Sequence, residues 1–191
     1  FYIICQLYSS TASAIGSSFQ ASIDTTLDNH PTVAGLTGGG FVVTWETSAA
    51  GRSNIQGRLY SSTASAIGSE FQINTDALDD HTPTVAGLTG GGFVVTWYDA
   101  TNYNIHGQLY SSTASAIGSE FQINAISCST IAVVANVAAL TGGGFVVTWS
   151  CSANIKGRLY SSTASAIGSE FQVNTNTITN QNPTVAGLTG G

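Results

Sequence analysis

Apolar and polar residues alternate along short segments of the chain, and the same alternation returns at a regular spacing. In residues 40–46, Phe41, Val43 and Trp45 fall on one side of a predicted strand, while the residues between them fall on the other. Both sides are fairly apolar, which predicts a strand buried between two layers. The eight residues GGGFVVTW that include this strand occur unchanged three times, at 38–45, 90–97 and 142–149. Self-similarity at a period of about 50 residues indicates a tandem repeat.

Four short strands are predicted in each repeat. In the unit used as a template, they cover residues 32–36, 40–46, 54–60 and 71–74. Pro31 precedes the first strand, since proline suits the start of a strand and not its paired centre. Glycines after Thr37 predict a tight turn, and residues 61–68 predict a second hairpin. Gly57 in the third strand predicts either a close approach of another backbone or room for a neighbouring ring, such as that of Trp45.

The repeats predict one array over residues 1–191 with three full units and two partial ones. A four-stranded unit of this size cannot bury both faces of its sheet alone, so it must stack on its neighbours. The predicted fold is all-β, with tandem four-stranded antiparallel units arranged as blades of a β-propeller, and an open stacked array is the alternative. The units are residues 1–23 (third and fourth strands only), 31–74, 83–124, the aberrant 131–174, and 183–191 (first strand only).

Equivalent positions of the repeats are predicted to form the core. They are the alternating residues of the second strand, a leucine of the third strand and a phenylalanine of the fourth. The chain begins and ends within repeats, so we interpret it as part of a longer protein. The predicted core residues are Phe41, Val43, Trp45, Leu59 and Phe71; Phe93, Val95, Trp97, Leu109 and Phe121; and Phe145, Val147, Trp149, Leu159 and Phe171.

Composition excludes several classes of function. Charged residues make up 7% of the chain, the net charge is −6, and Lys and Arg together number four. Binding to nucleic acid or to an anionic membrane surface needs clustered cations, so neither partner is expected. Apolar runs are far shorter than the 18 or so residues needed to span a bilayer, which predicts no membrane span.

The acidic linker before the second full unit is the only candidate for a metal site. Asp76, Asp79 and Asp80 could offer carboxylate oxygens to Ca²⁺. The spacing does not match an EF-hand, and the corresponding linkers lose most of the carboxylates. The favoured interpretation is a solvated turn without a cofactor, in which Asp and Asn cap their own backbone.

Reactive side chains do not form a recognisable catalytic pattern. His30 and His81 occupy matching positions and are interpreted as surface or turn residues, whereas His106 is predicted to be alone on a strand. The serine-rich hairpin is the same in every unit, which suits structure better than a single nucleophile. Cys128 and Cys151 could form a local disulfide or could be small buried residues. Cys5 stands where other units have glycine, which favours a packing role.

Three segments of the template unit resemble a known repeat: PTVAGLTGGGFVVTW (31–45), NIxGRLY (54–60) and GSEFQINT (68–75). Together they are similar to a repeat found in tandem in very large secreted or surface proteins of bacteria, including cyanobacteria. The similarity covers nearly the whole chain, although the hairpin of that family carries Asp and Gly where this chain has residues 62–65, STAS. The resemblance implies an extracellular or cell-surface array of four-stranded propeller blades, and it implies no enzyme activity.

Two hypotheses of function follow from the repeats. The first is a non-enzymatic structural or adhesive module of a surface protein or fibre, whose partners are copies of itself or neighbouring repeats. The alternative is a propeller that binds glycans or another ligand through aromatic and amide side chains of its loops. Exposed tryptophans at 45, 97 and 149 would favour glycan binding, whereas buried ones would remove its best residues.

Overall fold

The computed structural model describes residues 2–23, 27–49, 51–75, 78–128, 134–175 and 182–188. Within these ranges the chain forms fourteen β-strands, and no helix long and apolar enough to cross a membrane is found there. The strands are β1 (Ile4–Tyr8), β2 (Ala14–Gln20), β3 (Leu27–Gly35), β4 (Phe41–Ala49), β5 (Arg52–Tyr60), β6 (Ala66–Gln72), β7 (Asp80–Gly87), β8 (Phe93–Asp99), β9 (Asn104–Tyr110), β10 (Ala116–Gln122), β11 (Ala135–Ala139), β12 (Phe145–Cys151), β13 (Asn154–Tyr160) and β14 (Ala166–Gln172).

The strands form three four-stranded antiparallel sheets and one two-stranded sheet, which confirms the predicted all-β fold of four-stranded units. We call β3–β6 unit 1, β7–β10 unit 2 and β11–β14 unit 3, and we call β1–β2 the N-terminal partial unit. Within each unit the strands pair in the order of the sequence. Each connection is therefore a short hairpin, as expected for tight turns rich in Gly and Ser.

The first strand of units 1 and 2 begins earlier than the sequence predicts. β3 starts at Leu27 and β7 at Asp80, so both strands pass through the proline instead of beginning after it. The ladder shifts its register between Asn29 and Thr32, and the residue before Pro31 has a φ of 48°. The proline thus lies at a bulge, where its missing N–H breaks no ladder hydrogen bond.

The second hairpin is shorter than predicted, and the fourth strand is correspondingly longer. β6 begins at Ala66, and the turn itself covers only residues 61–65, closed by a hydrogen bond from Ser61 N to Ser65 O of 2.9 Å. The Ser61 hydroxyl accepts hydrogen bonds from the N–H groups of Thr63 and Ser65. Hydrogen bonds from the backbone to the Ser61 side chain therefore stabilise this turn without the Asp and Gly that usually favour one.

The close approach at Gly57 also differs from the prediction. A Cβ placed there would lie 3.0 Å from Phe71 Cζ and 3.0 Å from Ile73 Cδ1. The neighbouring ring is therefore that of Phe71 in the fourth strand and not that of Trp45. Phe71 is the direct partner of Gly57 in the β5–β6 ladder, so its ring lies where Gly57 has no side chain.

Neighbouring sheets approach most closely at their first strands, β3, β7 and β11. A Cβ added to Gly87 would lie only 2.1 Å from the carbonyl oxygen of Gly35 in the preceding unit, so this contact requires glycine. The Thr37 hydroxyl donates a hydrogen bond of 2.9 Å to Leu88 O across the same boundary. Residues 182–188 continue this series, since Asn136 Nδ2 donates to Pro183 O at 2.6 Å.

Candidate functional site

The most extensive site in the molecule is the interface between successive units, which is built three times from equivalent residues. One face of each sheet carries the Phe, Val and Trp of the second strand and the Tyr of the third. The opposite face of the preceding sheet carries Val, Ile and Leu. At the boundary of units 1 and 2, the buried residues in contact are Val42, Ile55, Leu59 and Ile73 with Phe93, Val95, Trp97 and Tyr110.

Three aromatic rings meet in every interface. Between units 1 and 2, Phe93 and Tyr110 are stacked with ring centroids 5.1 Å apart, and Phe71 is tilted against both. Such geometries add about 1 kcal/mol per pair beyond the burial of area. The same three-ring group recurs at the other boundaries as Phe19, Phe41 and Tyr60, and as Phe121, Phe145 and Tyr160.

Each interface also contains a buried hydrogen bond from a tyrosine hydroxyl. Tyr110 Oη donates to Ile73 O at 3.0 Å, and Tyr60 and Tyr160 donate to Ala21 O and Ile123 O. Burial raises the pKa of Tyr110 well above its ordinary value, so the hydroxyl stays protonated and remains a donor.

A glutamate in each fourth strand makes a second link, near the outer edge of the sheets. Glu70, Glu120 and Glu170 each accept a hydrogen bond from a backbone N–H of the preceding unit, at Ile23, Thr75 and Ala125. These N–H groups lie just after the last strand of that preceding unit. Hydrogen bonds to an ionised acceptor are stronger than neutral ones, so each glutamate fastens the end of the preceding sheet.

The tryptophans lie inside the interfaces. Trp45, Trp97 and Trp149 are each 0% exposed, and their indole N–H groups have no hydrogen-bond acceptor among the described residues. A sugar cannot stack on a ring that is completely covered. The glycan hypothesis therefore loses its best residues.

Most of the other predicted core positions are also buried, with one clear exception. The Phe, Val and Trp residues of the second strand, with Leu59 and Leu109, are at most 9% exposed. Phe71, Phe121 and Leu159 are partly buried. Phe171 is 43% exposed, contrary to its predicted core position, because no further sheet covers that face of unit 3 among the described residues.

A polar cluster fastens units 1 and 2 beside the apolar interface. Glu46 is buried, and its carboxylate lies 3.0 Å from His30 Nδ1 and 2.9 Å from His81 Nδ1. It also accepts hydrogen bonds from the Ser53 hydroxyl and the Thr82 N–H. Groups from three other strands therefore converge on one carboxylate.

The ionised state of this cluster follows from its contacts. Burial alone would raise the pKa of Glu46, but hydrogen bonding and charge from His81, with the bonds from Thr82 and Ser53, lower it to about 2. The hydrogen bond to Glu46 is the main cause that raises the pKa of His81 to about 9, against the opposing effect of burial. Glu46 and His81 thus form an ion pair at neutral pH.

His81 is not in a turn, and Asp79, in the solvated segment just before β7, bonds to more than its own backbone. His81 is in strand β7 and its Nε2 lies 3.2 Å from Asp79 Oδ2, while Asp79 Oδ1 accepts a hydrogen bond from Ser53 N. Burial would raise the pKa of Asp79, but these contacts lower it. Sequence reasoning missed Glu46, which stands in the second strand of unit 1 where Tyr98 and Ser150 stand in the other units.

The proposed calcium ligands are occupied by protein groups. Asp80 is 0% exposed and accepts a hydrogen bond from Asn74 Nδ2 at 2.8 Å, so it belongs to the buried part of β7. Asp76 lies outside the described residues. Within the described ranges, no group of three or more His, Cys, Asp or Glu side chains is arranged to hold a metal ion.

His106 is not alone on its strand. Its ring is stacked on that of Trp97 with centroids 6.2 Å apart, and its Nε2 lies 4.0 Å from Oδ2 of the buried Asp99. Asp99 itself caps the following loop by accepting hydrogen bonds from the N–H groups of Thr101 and Asn102. This arrangement fixes the loop that follows β8.

A disulfide fastens the linker between units 2 and 3. Cys128 and Cys151 are bonded, with Cα atoms 5.1 Å apart, and Cys128 N donates to Tyr103 O at 3.1 Å. Of the two interpretations left open by the sequence, the disulfide is therefore the correct one. Cys5 is free and partly buried, and burial raises the pKa of its thiol.

No protein-family model matches the chain, and no curated protein is significantly similar to it.

Proposed function

We propose that this chain is a non-enzymatic structural module of an extracellular surface protein or fibre, acting in assembly or adhesion through repeated contacts. The observation that carries this proposal is the interface that recurs three times with the same aromatic rings, tyrosine hydroxyl and glutamate link. Each interface joins two different faces of equivalent units. Contacts of this heterologous type generate rings or open rows of units, and stability then adds up along the row.

The convergence of the sheets on their first strands supports a propeller-like arrangement of the units. Neighbouring sheets are closest at β3, β7 and β11, as in wedges arranged about an axis. An open stack remains the alternative arrangement. Both would present identical hairpins, at residues 61–65, 111–115 and 161–165, at regular intervals on the outer surface.

The disulfide supports an extracellular location, because such bonds form and persist mainly in oxidising compartments. The low content of Lys and Arg supports protein contacts over nucleic acid or anionic lipid as the mode of binding. Together with the segments PTVAGLTGGGFVVTW and NIxGRLY, these features favour a place among the tandem repeats of large bacterial surface proteins.

A structural role is also favoured by how the ionisable side chains are used. Glu46, Asp79 and His81 bond to one another and to the backbone of a neighbouring segment. Catalysis would require a group held near a surface opening with its reactive atom free to meet a substrate. In this cluster the polar atoms join units instead.

Electron microscopy of the purified chain at neutral pH, without added ligand, tests this function. We expect filaments whose axial repeat corresponds to a whole number of units. Matched preparations after partial heat unfolding serve as the control for non-specific aggregates. Discrete single particles at every concentration would contradict assembly as the function and would direct attention to the loops as a ligand site.

A further inference from the structure

The outer hairpin of each unit contains an alanine in a backbone conformation that favours glycine. Ala64, Ala114 and Ala164, each the fourth residue of its hairpin, have φ angles of 62°, 59° and 58°. An L residue in the left-handed region costs free energy, because its Cβ comes too close to the following carbonyl oxygen. Glycine would adopt the same conformation without that cost. Alanine is therefore an unfavourable residue for the hairpin taken by itself.

Hydrogen bonds hold the alanine in this conformation. In the hairpin of unit 2, Ser111 N donates to Ser115 O at 2.9 Å, and Ala114 N donates to Ser111 O at 3.1 Å. The Ser111 hydroxyl also accepts hydrogen bonds from the N–H groups of Thr113 and Ser115. A three-residue loop closed in this way ends in a residue of left-handed conformation. The alanine can therefore relax only if these bonds break.

The same alanine contacts the junction with the preceding unit. Ala114 is half-buried and packs against the core between units 1 and 2, and Ala64 and Ala164 pack in the same way at the other two junctions. Together with Leu59 and Phe71 of unit 1, Ala114 lines a groove of about 490 Å³. The hairpin joins the third and fourth strands, so this contact lies at the edge of the sheet opposite the first strand.

The two edges of one junction show the opposite relation between residue and conformation. At the first strand, Gly87 has no positive φ, yet a Cβ there would lie only 2.1 Å from Gly35 O of the preceding unit. At the hairpin, Ala114 has the conformation of a glycine but carries a methyl group. Local backbone conformation explains neither residue. Packing across the junction explains both, because it excludes a methyl group at one edge and uses one at the other.

We propose that the alanine of each outer hairpin is a clasp that couples its own unit to the preceding one. Its methyl contact contributes only when the preceding sheet is in place, whereas the cost of its backbone conformation is present in the hairpin throughout. The contact across the junction thus offsets a cost within the hairpin. This coupling acts within a single chain and does not depend on the assembly of copies.

Ala114→Gly tests the clasp, because glycine keeps the hairpin conformation and removes only the methyl group. Ser152→Gly is the matched control, since Ser152 also has a positive φ, of 57°, but is exposed in the turn between β12 and β13. Both substitutions relieve the same kind of backbone cost, and only the first removes a contact between units. Amide hydrogen exchange of the whole chain at neutral pH provides the measurement.

We expect Ala114→Gly to make the amides of β6, in unit 1, exchange roughly 3-fold faster, as the loss of one partly buried methyl group predicts. In unit 2, the amides of the substituted hairpin should exchange no faster than in the wild type, because glycine relieves the backbone cost there. Ser152→Gly should leave exchange in β6 and β10 unchanged.

Two results would overturn the clasp. Unchanged exchange in β6 of Ala114→Gly would mean that the alanine does not act on the preceding unit. Equal acceleration of β6 by Ser152→Gly would mean that the effect does not depend on the junction. If circular dichroism shows that Ala114→Gly does not fold, Ala164→Gly makes the same test at the junction of units 2 and 3, with the amides of β10 as the readout.

Discussion

The junction between units 1 and 2 and the junction between units 2 and 3 have the same apolar interior but are fastened differently. Both contain a stacked Phe and Tyr, a buried Trp and a tyrosine hydroxyl bonded to the preceding unit. The first junction adds the ion pair of Glu46 and His81, whereas the second has the disulfide of Cys128 and Cys151. The apolar interior is thus the same at both junctions, whereas the interaction that holds the linker differs.

The polar cluster and the disulfide also attach their linkers to different units. Asp79, in the linker between units 1 and 2, bonds to Ser53 of the preceding unit. Cys128, in the linker between units 2 and 3, is joined to the end of β12 in the following unit. At the position of Glu46, unit 2 has Tyr98, which packs in the apolar cluster instead of forming an ion pair. The comparison indicates that the disulfide holds the linker at the junction that lacks a buried glutamate.

Removal of Glu46 should have the largest effect on this comparison. Glu46→Ala removes the counter-ion of the half-buried His81 and leaves the Ser53 hydroxyl and the Thr82 N–H without this acceptor, at a combined cost of about 4 kcal/mol. We therefore expect a fall of this size in the free energy of unfolding, measured by urea denaturation. Ser150→Ala, at the equivalent position of unit 3, is the control and should change stability by less than about 1 kcal/mol. Equal losses in both variants would contradict a special role for the first junction.

Removal of the disulfide should have the next largest effect. Cys128→Ser combined with Cys151→Ser opens a loop closed by a sequence separation of 23 residues, so we expect a loss of about 3 kcal/mol. Amide hydrogen exchange should become faster in β12 and β13, whereas the amides of β4 and β5 should stay protected. Cys5→Ser is the control. Faster exchange throughout unit 1 would show that the disulfide stabilises more than its own junction.

Between about pH 6.5 and pH 9, the pH dependence of stability should belong to the first junction. The raised pKa of His81 gives a contribution that is complete below about 6.5 and is lost as pH rises through about 9. The lowered pKa of Glu46 gives one that is present above about 4.5 and is lost as pH falls through about 2. We expect about 2 kcal/mol on the alkaline side, because solvent around the half-buried His81 screens the pair.

Thermal unfolding at a series of pH values measures this dependence. His81→Gln should remove the decline between about pH 6.5 and pH 9, since the amide carries no titrating charge. The double cysteine variant should keep the decline, because the ion pair lies at the other junction. A variant lacking the disulfide whose alkaline decline disappears would refute the assignment to Glu46 and His81.

The smallest expected difference in stability concerns the tyrosine hydroxyl, which donates a hydrogen bond to the preceding unit at both junctions. Tyr110→Phe leaves Ile73 O without its hydroxyl donor, at a cost of about 1.5 kcal/mol. Tyr160→Phe should cost only about 0.5 kcal/mol, because Arg158 Nη1 still donates to Ile123 O at 3.1 Å. Urea denaturation of the two variants measures the difference. If Arg158→Gln, which copies Gln108 of unit 2, does not make Tyr160→Phe as costly as Tyr110→Phe, this explanation is wrong.

Much of each unit could be predicted from the sequence, because the signals are local. The alternation of Phe41, Val43 and Trp45 predicted a strand, and the glycines before it predicted a turn. The proline was misleading, since the bulge around Pro31 lets the strand continue through it. The start of β6 was missed because Ala66 and Gly68 resemble turn residues. They belong to a strand whose ladder has a bulge between the partners of Gly57 and Leu59.

The candidate site was harder to predict than the strands. A single carboxylate such as Glu46 carries no spacing signal, since its partners His30, Ser53 and His81 come from three other strands and lie between 7 and 35 residues away in the sequence. Matching positions of His30 and His81 were visible in the repeats. They could have indicated a shared partner, but nothing local identified it as Glu46.

The sequence by itself determined the repeat, the antiparallel strands and which residues fall on each face of a sheet. Hydrophobic periodicity and turn chemistry, which set these features, act over only a few residues. Tertiary structure alone decided which faces meet, that Glu46 pairs with His81 and that Cys128 reaches Cys151. These contacts depend on how one sheet packs against the next. That packing is set by the summed burial of many side chains from separate segments, which brings these polar groups and thiols together.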